Sequence, residues 1–308
     1  MNRDDISRTH GPQAMAHPAQ PVATQRRRQV LSLLGALAAA GAAPAWAQTD
    51  LTDLARIRAS GVLKVAVYKA NAPFSDGPGT YLVGLDVSIA QALAKELGLR
   101  LSLLPFDAGE NMNDDLRNMV WRGHYLGYGP ADVMMQVPVD KYLINENRQV
   151  LIFAPYMRQV LVVLHDKRKL PELASPEDLK GLALMAEKGS GAASVLMGYG
   201  GGLLRNQVSI ADTGMLAAEA VVNGSAAAAY VTRAQAEAVM FQHKNAEHLK
   251  LSPMQLPGLP GNGWPVGMAI KSQHKDLGQA IDAAMVALRS RGELQGLFRQ
   301  HGLTLTAP

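Results

Sequence analysis

The sequence predicts an α/β protein built as two lobes, each a mostly parallel sheet flanked by helices. Three observations predict it. Strand and helix signals alternate along the chain after Asp50, a fresh series begins near residues 156–160, and a Pro/Gly-rich connection at 256–265 leads into one more strand before the C-terminal helices. Alternating βαβ order implies parallel strands with helices on both faces. Two crossings between the same two units let them rotate about a hinge. The expected division is 48–158 plus 264–308 for the first lobe and 159–263 for the second.

Ahead of this lies an address. Residues 1–25 are polar, Arg26-Arg27-Arg28 is basic, and Val30 to Ala43 is an apolar run ending near Ala45-Trp46-Ala47. That order is the n-region, h-region and small-residue cleavage site of a secretory signal. The run falls short of the roughly 20 apolar residues of a membrane span. Arg27-Arg28-Gln29-Val30-Leu31 fits a twin-arginine signal as well as an ordinary one. The expected location is the periplasm, with cleavage near Ala47.

The elements then follow in order. Leu63 to Val67 reads as a buried strand. Gly84-Leu85-Asp86 leads into a helix with Ile89, Ala90, Leu93, Ala94 and Leu97 on one face, Asp86 as a candidate cap and Gly98 as the stop. Leu99 to Leu104 and Asp132 to Val137 are strands, with a short helix from Asp114 to Arg122 between them. The second series opens with the β-branched run Val160 to Leu164. Strands at Leu182 to Met185 and Ala226 to Val231 follow, with helices after Gly189-Ser190-Gly191, at Met215 to Val222 and at Thr232 to Gln242. Val266 to Ile270 is the last strand, and helices fill Leu277 to Phe298.

Composition removes several functions. There is no cysteine, so no disulfide, thiolate metal site or cysteine nucleophile exists. The formal charge of +4 is concentrated in residues 1–47, which hold five arginines against two aspartates; the rest is nearly neutral. No basic stripe is available for a phosphate backbone, so no nucleic acid is expected. No cofactor or metal is expected either, and the protein is read as a monomer rather than an enzyme. The catalytic signatures of serine hydrolases and zinc proteases do not occur.

The order of Gly61-Val62-Leu63-Lys64-Val65, Ala72-Pro73-Phe74, Gly84-Leu85-Asp86-Val87, Ala131-Asp132-Val133-Met134, Phe153-Ala154-Pro155-Tyr156, Asp178-Leu179-Lys180-Gly181, Gly267-Met268-Ala269-Ile270 and Arg291-Gly292-Glu293-Leu294 resembles the bacterial extracellular solute-binding proteins of family 3. The resemblance implies the type II periplasmic binding protein fold, and a small polar or anionic molecule captured between the lobes for an ABC permease. It also implies departures, because Thr232 stands where that family places an acidic ammonium contact and Asn71 where it places an aromatic platform. Asp132 to Pro138 followed by Pro155-Tyr156-Met157-Arg158 resembles instead the branch associated with quinoprotein (PQQ-dependent) alcohol and methanol dehydrogenases. That branch implies an accessory role with a periplasmic dehydrogenase as partner. A few proteins of the fold are dehydratases, which needs paired cleft carboxylates that no motif here announces.

The candidate ligand contacts are Tyr68, Asn71, Phe74, Gln136 and Arg148 from the first lobe, and Ser190, Ala192 and Thr232 from the second. Arg148 and Arg158 flank the first crossing, where a planar guanidinium binds an anion in two-pronged fashion or simply pairs with Asp140 or Glu146. Gly189 to Ala193 puts free backbone N–H groups at a helix start. Trp121, His124, Tyr125 and Tyr128 form an aromatic cluster suited to a partner surface or to packing on their own lobe.

Overall fold

The computed structural model describes residues 53–79, 81–243 and 246–308, so the signal segment expected at 1–47 lies outside the described residues. Strands β1 (Val62–Tyr68), β2 (Arg100–Phe106), β3 (Val133–Pro138), β4 (Val150–Gln159) and β10 (Trp264–Lys271) form one five-stranded sheet, ordered β2-β1-β3-β10-β4. The second sheet holds β5 (Leu161–Asp166), β6 (Leu184–Glu187), β7 (Val208–Ala211), β8 (Ala228–Thr232) and β9 (Leu249–Pro253), ordered β7-β6-β8-β5-β9. The strand pairings make four of the five strands in each sheet run the same way. The exception is always the strand arriving from the other sheet, β10 in the first and β5 in the second. Both sit in the fourth position.

The two crossings lie side by side. Val160 alone separates β4 from β5, and Gln159 pairs across the ladder with Trp264, the first residue of β10. Gly263 precedes Trp264 with φ of +67°, and a Cβ there would collide with the carbonyl oxygen of Gln159. Only glycine admits that combination of left-handed backbone and close approach.

Helices α1 (Asp53–Ser60), α2 (Leu85–Glu96), α3 (Met112–Leu116) and α4 (Lys141–Glu146) accompany the first sheet, and α8 (Lys275–Ser290) and α9 (Glu293–Gln300) return to it. Helices α5 (Gly191–Gly202), α6 (Gly214–Val222) and α7 (Arg233–Gln242) accompany the second. The apolar stripe of α2 is buried as its spacing predicts, through Leu85, Ile89, Ala90, Leu93 and Ala94. Its cap is different from expectation: Gly84 occupies that position, and Asp86 lies two residues further on, within the first turn, 0% exposed. There Asp86 Oδ1 accepts a 2.8 Å hydrogen bond from the Tyr156 hydroxyl of β4. His165 and Asp166, at the end of β5, are also buried. His165 Nδ1 and Nε2 meet Leu170 O at 2.8 Å and Ser252 Oγ at 2.9 Å, while Asp166 is held by Arg168.

Candidate functional site

A cavity of about 390 Å³ opens at the C-terminal ends of β3, β6 and β8, beside the crossings. Crevices at the carboxyl ends of strands in open α/β sheets are where such folds bind ligands. Pro138 ends β3 and Asp140 follows it, Trp264 comes from the start of β10, and Leu161, Glu187, Tyr230, Thr232 and Gln235 come from the second sheet and α7. Ser190, Gly191 and Ala192 complete it at the start of α5.

The polar groups are held by local rules. Ser190 caps α5, its Oγ accepting from Ala193 N–H at 3.1 Å and donating to Glu187 O at 2.8 Å. The first turn leaves the Gly191 and Ala192 N–H groups without intrahelical acceptors. Thr232 and Gln235 form a capping box on α7, with Gln235 Oε1 accepting from Thr232 N–H and Thr232 Oγ1 accepting from Gln235 N–H. The Gln235 amide then donates from Nε2 to Glu187 Oε2 at 3.0 Å. That bond orients the carboxylate and leaves Oε1 with no protein donor among the described residues. Asp140 caps α4 through Oδ1, accepting from Leu143 N–H at 2.9 Å. Asp140 and Glu187 are the charged residues lining the cavity, and both are acidic. Trp264 and Tyr230 give it aromatic walls; the Tyr230 hydroxyl donates to Met254 O at 3.2 Å, and burial pushes its pKa up to about 12.

Of the residues singled out by sequence, Ser190, Ala192 and Thr232 line this cavity; the first-lobe set does not. Tyr68 donates from its hydroxyl to Asp115 Oδ2 at 2.8 Å and packs its ring 4.4 Å from that of Phe106. Asn71 closes a turn, its N–H bonded to Ser75 O and its carbonyl to the N–H groups of Phe74 and Ser75. Phe74 is 2% exposed, a core side chain. Gln136 bends β3 with φ of +61° and donates its N–H to the Tyr156 hydroxyl at 3.3 Å, while its buried side-chain amide favours the charged form of Asp86. Arg148 lies exposed in the turn after α4, outside the cavity, and pairs with neither Asp140 nor Glu146. The anionic half of the expected ligand loses its guanidinium there.

The aromatic cluster is local. Arg117–Trp121 forms a π-helical turn, and half-buried Trp121 borders a separate cavity with Asp132 and His274. His124 stacks on Tyr128 with ring centroids 4.3 Å apart, while Tyr125 stands 87% exposed beside Leu126. Asp115 accepts from Gly109 N–H and from the Tyr68 hydroxyl. No cluster of three metal-ligating side chains occurs among the described residues, and none of their helices is long and apolar enough to cross a membrane.

Asp140, Glu187, Gln235 and Trp264 were missed by sequence. Glu187 had a signal, as the last residue of a strand directly before Gly189-Ser190-Gly191. Trp264 closes the Pro/Gly connection, a position equally open to a core reading.

No protein-family model matches the chain, and no curated protein does. Solved structures do. One is an ancestral cationic amino acid solute-binding protein, 20% identical with a TM-score of 0.62, covering 80% of this chain and 98% of its own. An amino acid ABC transporter substrate-binding protein of Streptococcus pneumoniae, bound to L-arginine, is 19% identical with a TM-score of 0.58, covering 83% of this chain and 100% of its own. A polar amino acid ABC uptake transporter substrate-binding protein of Streptococcus thermophilus is 16% identical with a TM-score of 0.60, covering 82% and 90%. Identity at this level speaks for the fold: two mixed sheets flanked by helices, in the two-lobed arrangement of amino-acid-binding proteins.

Proposed function

We propose that the chain is a periplasmic solute-binding protein that captures a small organic cation, an amine or guanidinium, between its lobes and delivers it to an ABC importer. One observation carries the reading: among the described residues the cavity between the sheets is lined by Asp140 and Glu187 and by no basic side chain. A buried cation needs an opposite charge to offset its lost hydration, and an aromatic face such as Trp264 adds to it. The neighbours whose printed ligand is L-arginine support the same class. The Gly191 and Ala192 N–H groups offer a place for a carboxylate carried by such a solute. Closure follows when one ligand touches both lobes, since only differential contacts shift an open–closed balance.

Thermal unfolding against arginine, agmatine, putrescine, glutamate and succinate tests this. The cations raise the unfolding temperature, and Glu187→Gln weakens their binding at least tenfold, about 1.4 kcal/mol. Stabilisation by glutamate or succinate alone would overturn the cationic reading. A second reading, the dehydrogenase accessory role, draws on the exposed pair Tyr125 and Leu126. It expects no response to any of the five solutes, and retention of a quinoprotein dehydrogenase on the immobilised protein that Tyr125→Ser abolishes.

A further inference from the structure

We infer that the rear of the crossings holds a second binding site, selective for a small organic anion. A cavity of about 730 Å³ lies there, nearly twice the acidic one of about 390 Å³. Its charge is reversed: Arg158 and Arg233 line it, and no carboxylate among the described residues does. Arg158 sits near the end of β4, two residues before Val160. Arg233 opens α7, and its backbone N–H donates to Val160 O at 2.9 Å. Two guanidiniums, one from each lobe, are therefore carried by backbone that meets at Val160.

Neither is fully engaged. The backbone N–H of Arg158 is fixed on Thr306 O at 3.0 Å, but its guanidinium has only a 3.4 Å bond from Nη1 to the carbonyl of Asn262. Arg233 donates from Nε to Glu237 Oε1 at 2.6 Å, which leaves both Nη groups without a protein acceptor among the described residues. Glu237 Oε2 accepts from Thr304 N–H at 2.7 Å, so that acid is committed to Arg233 and the C-terminal segment. Paired guanidinium forks bordering one recess suit the planar, two-pronged recognition of a carboxylate or phosphate. Gln255 and Asn262 add neutral donors at the rim, and Leu251 and Met254 give an apolar floor. The ligand class is a carboxylate or phosphate carried on a short apolar body.

Isothermal titration of the purified protein with inorganic phosphate, succinate and benzoate tests the site, with hydrogen exchange to locate it. Saturable binding of at least one anion is expected, with protection of the 255–263 segment and the start of α7 but not of Ser190–Ala193. Arg158→Gln and Arg233→Gln each weaken it tenfold or more in protein that still unfolds cooperatively. Arg158→Lys and Arg233→Lys keep the charge without the fork and fall between, which keeps the test open should a glutamine variant not fold. No saturable binding by the folded protein, binding unchanged in all four variants, or protection confined to Ser190–Ala193 would each overturn the inference.

Discussion

Around the first sheet the fully buried side chains are large: Leu63, Phe74, Leu93, Phe106, Met134 and Tyr156. Where α6 and α7 pack on the second sheet they are smaller, with Ala217, Ala218, Ala226, Ala229 and Ala236 set among Val162, Val221, Val231 and Val239, while the other face of that sheet keeps Leu184, Leu196 and Leu204. One strand plan thus has two interiors. Hydrophobic stabilisation scales with the apolar area removed from water, so the first core gains more per residue. On its α6–α7 face the second lets those helices lie close to β8 because many of the side chains between them are alanines. Each core is therefore sensitive to the opposite kind of change.

The largest effect is expected where bulk is lost from the first core. Leu93→Ala should destabilise the protein by about 2–5 kcal/mol, read by denaturant unfolding; a near-neutral result would show that α2 settles onto the sheet and that the contrast is weaker than drawn. Next comes bulk added to the second core. Ala217→Leu, on the buried face of α6, should cost about 1–3 kcal/mol, and tolerance of it would reveal slack between α6 and β8.

The smallest effect sharpens the comparison through charge. Burial pushes Asp86 up to about 7, against the pull of the Tyr156 hydrogen bond and from an ordinary value of 3.8. A carboxyl whose folded value lies above its unfolded one binds its proton more tightly when folded. Its stabilising contribution is complete below about pH 4 and is lost as pH rises through 7. Asp86→Asn keeps an acceptor for Tyr156 and removes the titration. Its unfolding temperature should match the parent at low pH and exceed it at pH 8, and parallel profiles would show that folding leaves the Asp86 pKa unshifted.

Much of the fold was legible because strands such as β1 and β5 are continuous apolar runs and α2 keeps a helical period. Even Ala226 to Val231 read as a strand, although alanine alone favours a helix. Within the site, Ser190, Ala192 and Thr232 were legible because helix starts have a local grammar of small and hydroxyl residues. Phe74, Gln136 and Arg148 misled because whether a residue faces a cleft or a core turns on pleat and bend, and β3 bends at Gln136 itself. Glu187 and Trp264 meet only through the two crossings, a juxtaposition that no local spacing encodes.

The placement of β10 between β3 and β4 also governs the order in which the molecule is completed during translation. Edge strand β4 pairs with β10 and with no other strand of its sheet. It therefore leaves the ribosome without a neighbour and waits until the whole of the second sheet has been synthesised. That second sheet, drawn from one uninterrupted stretch, is ready first. The first sheet, begun earlier in the sequence, is completed only by a strand that follows the whole of the second.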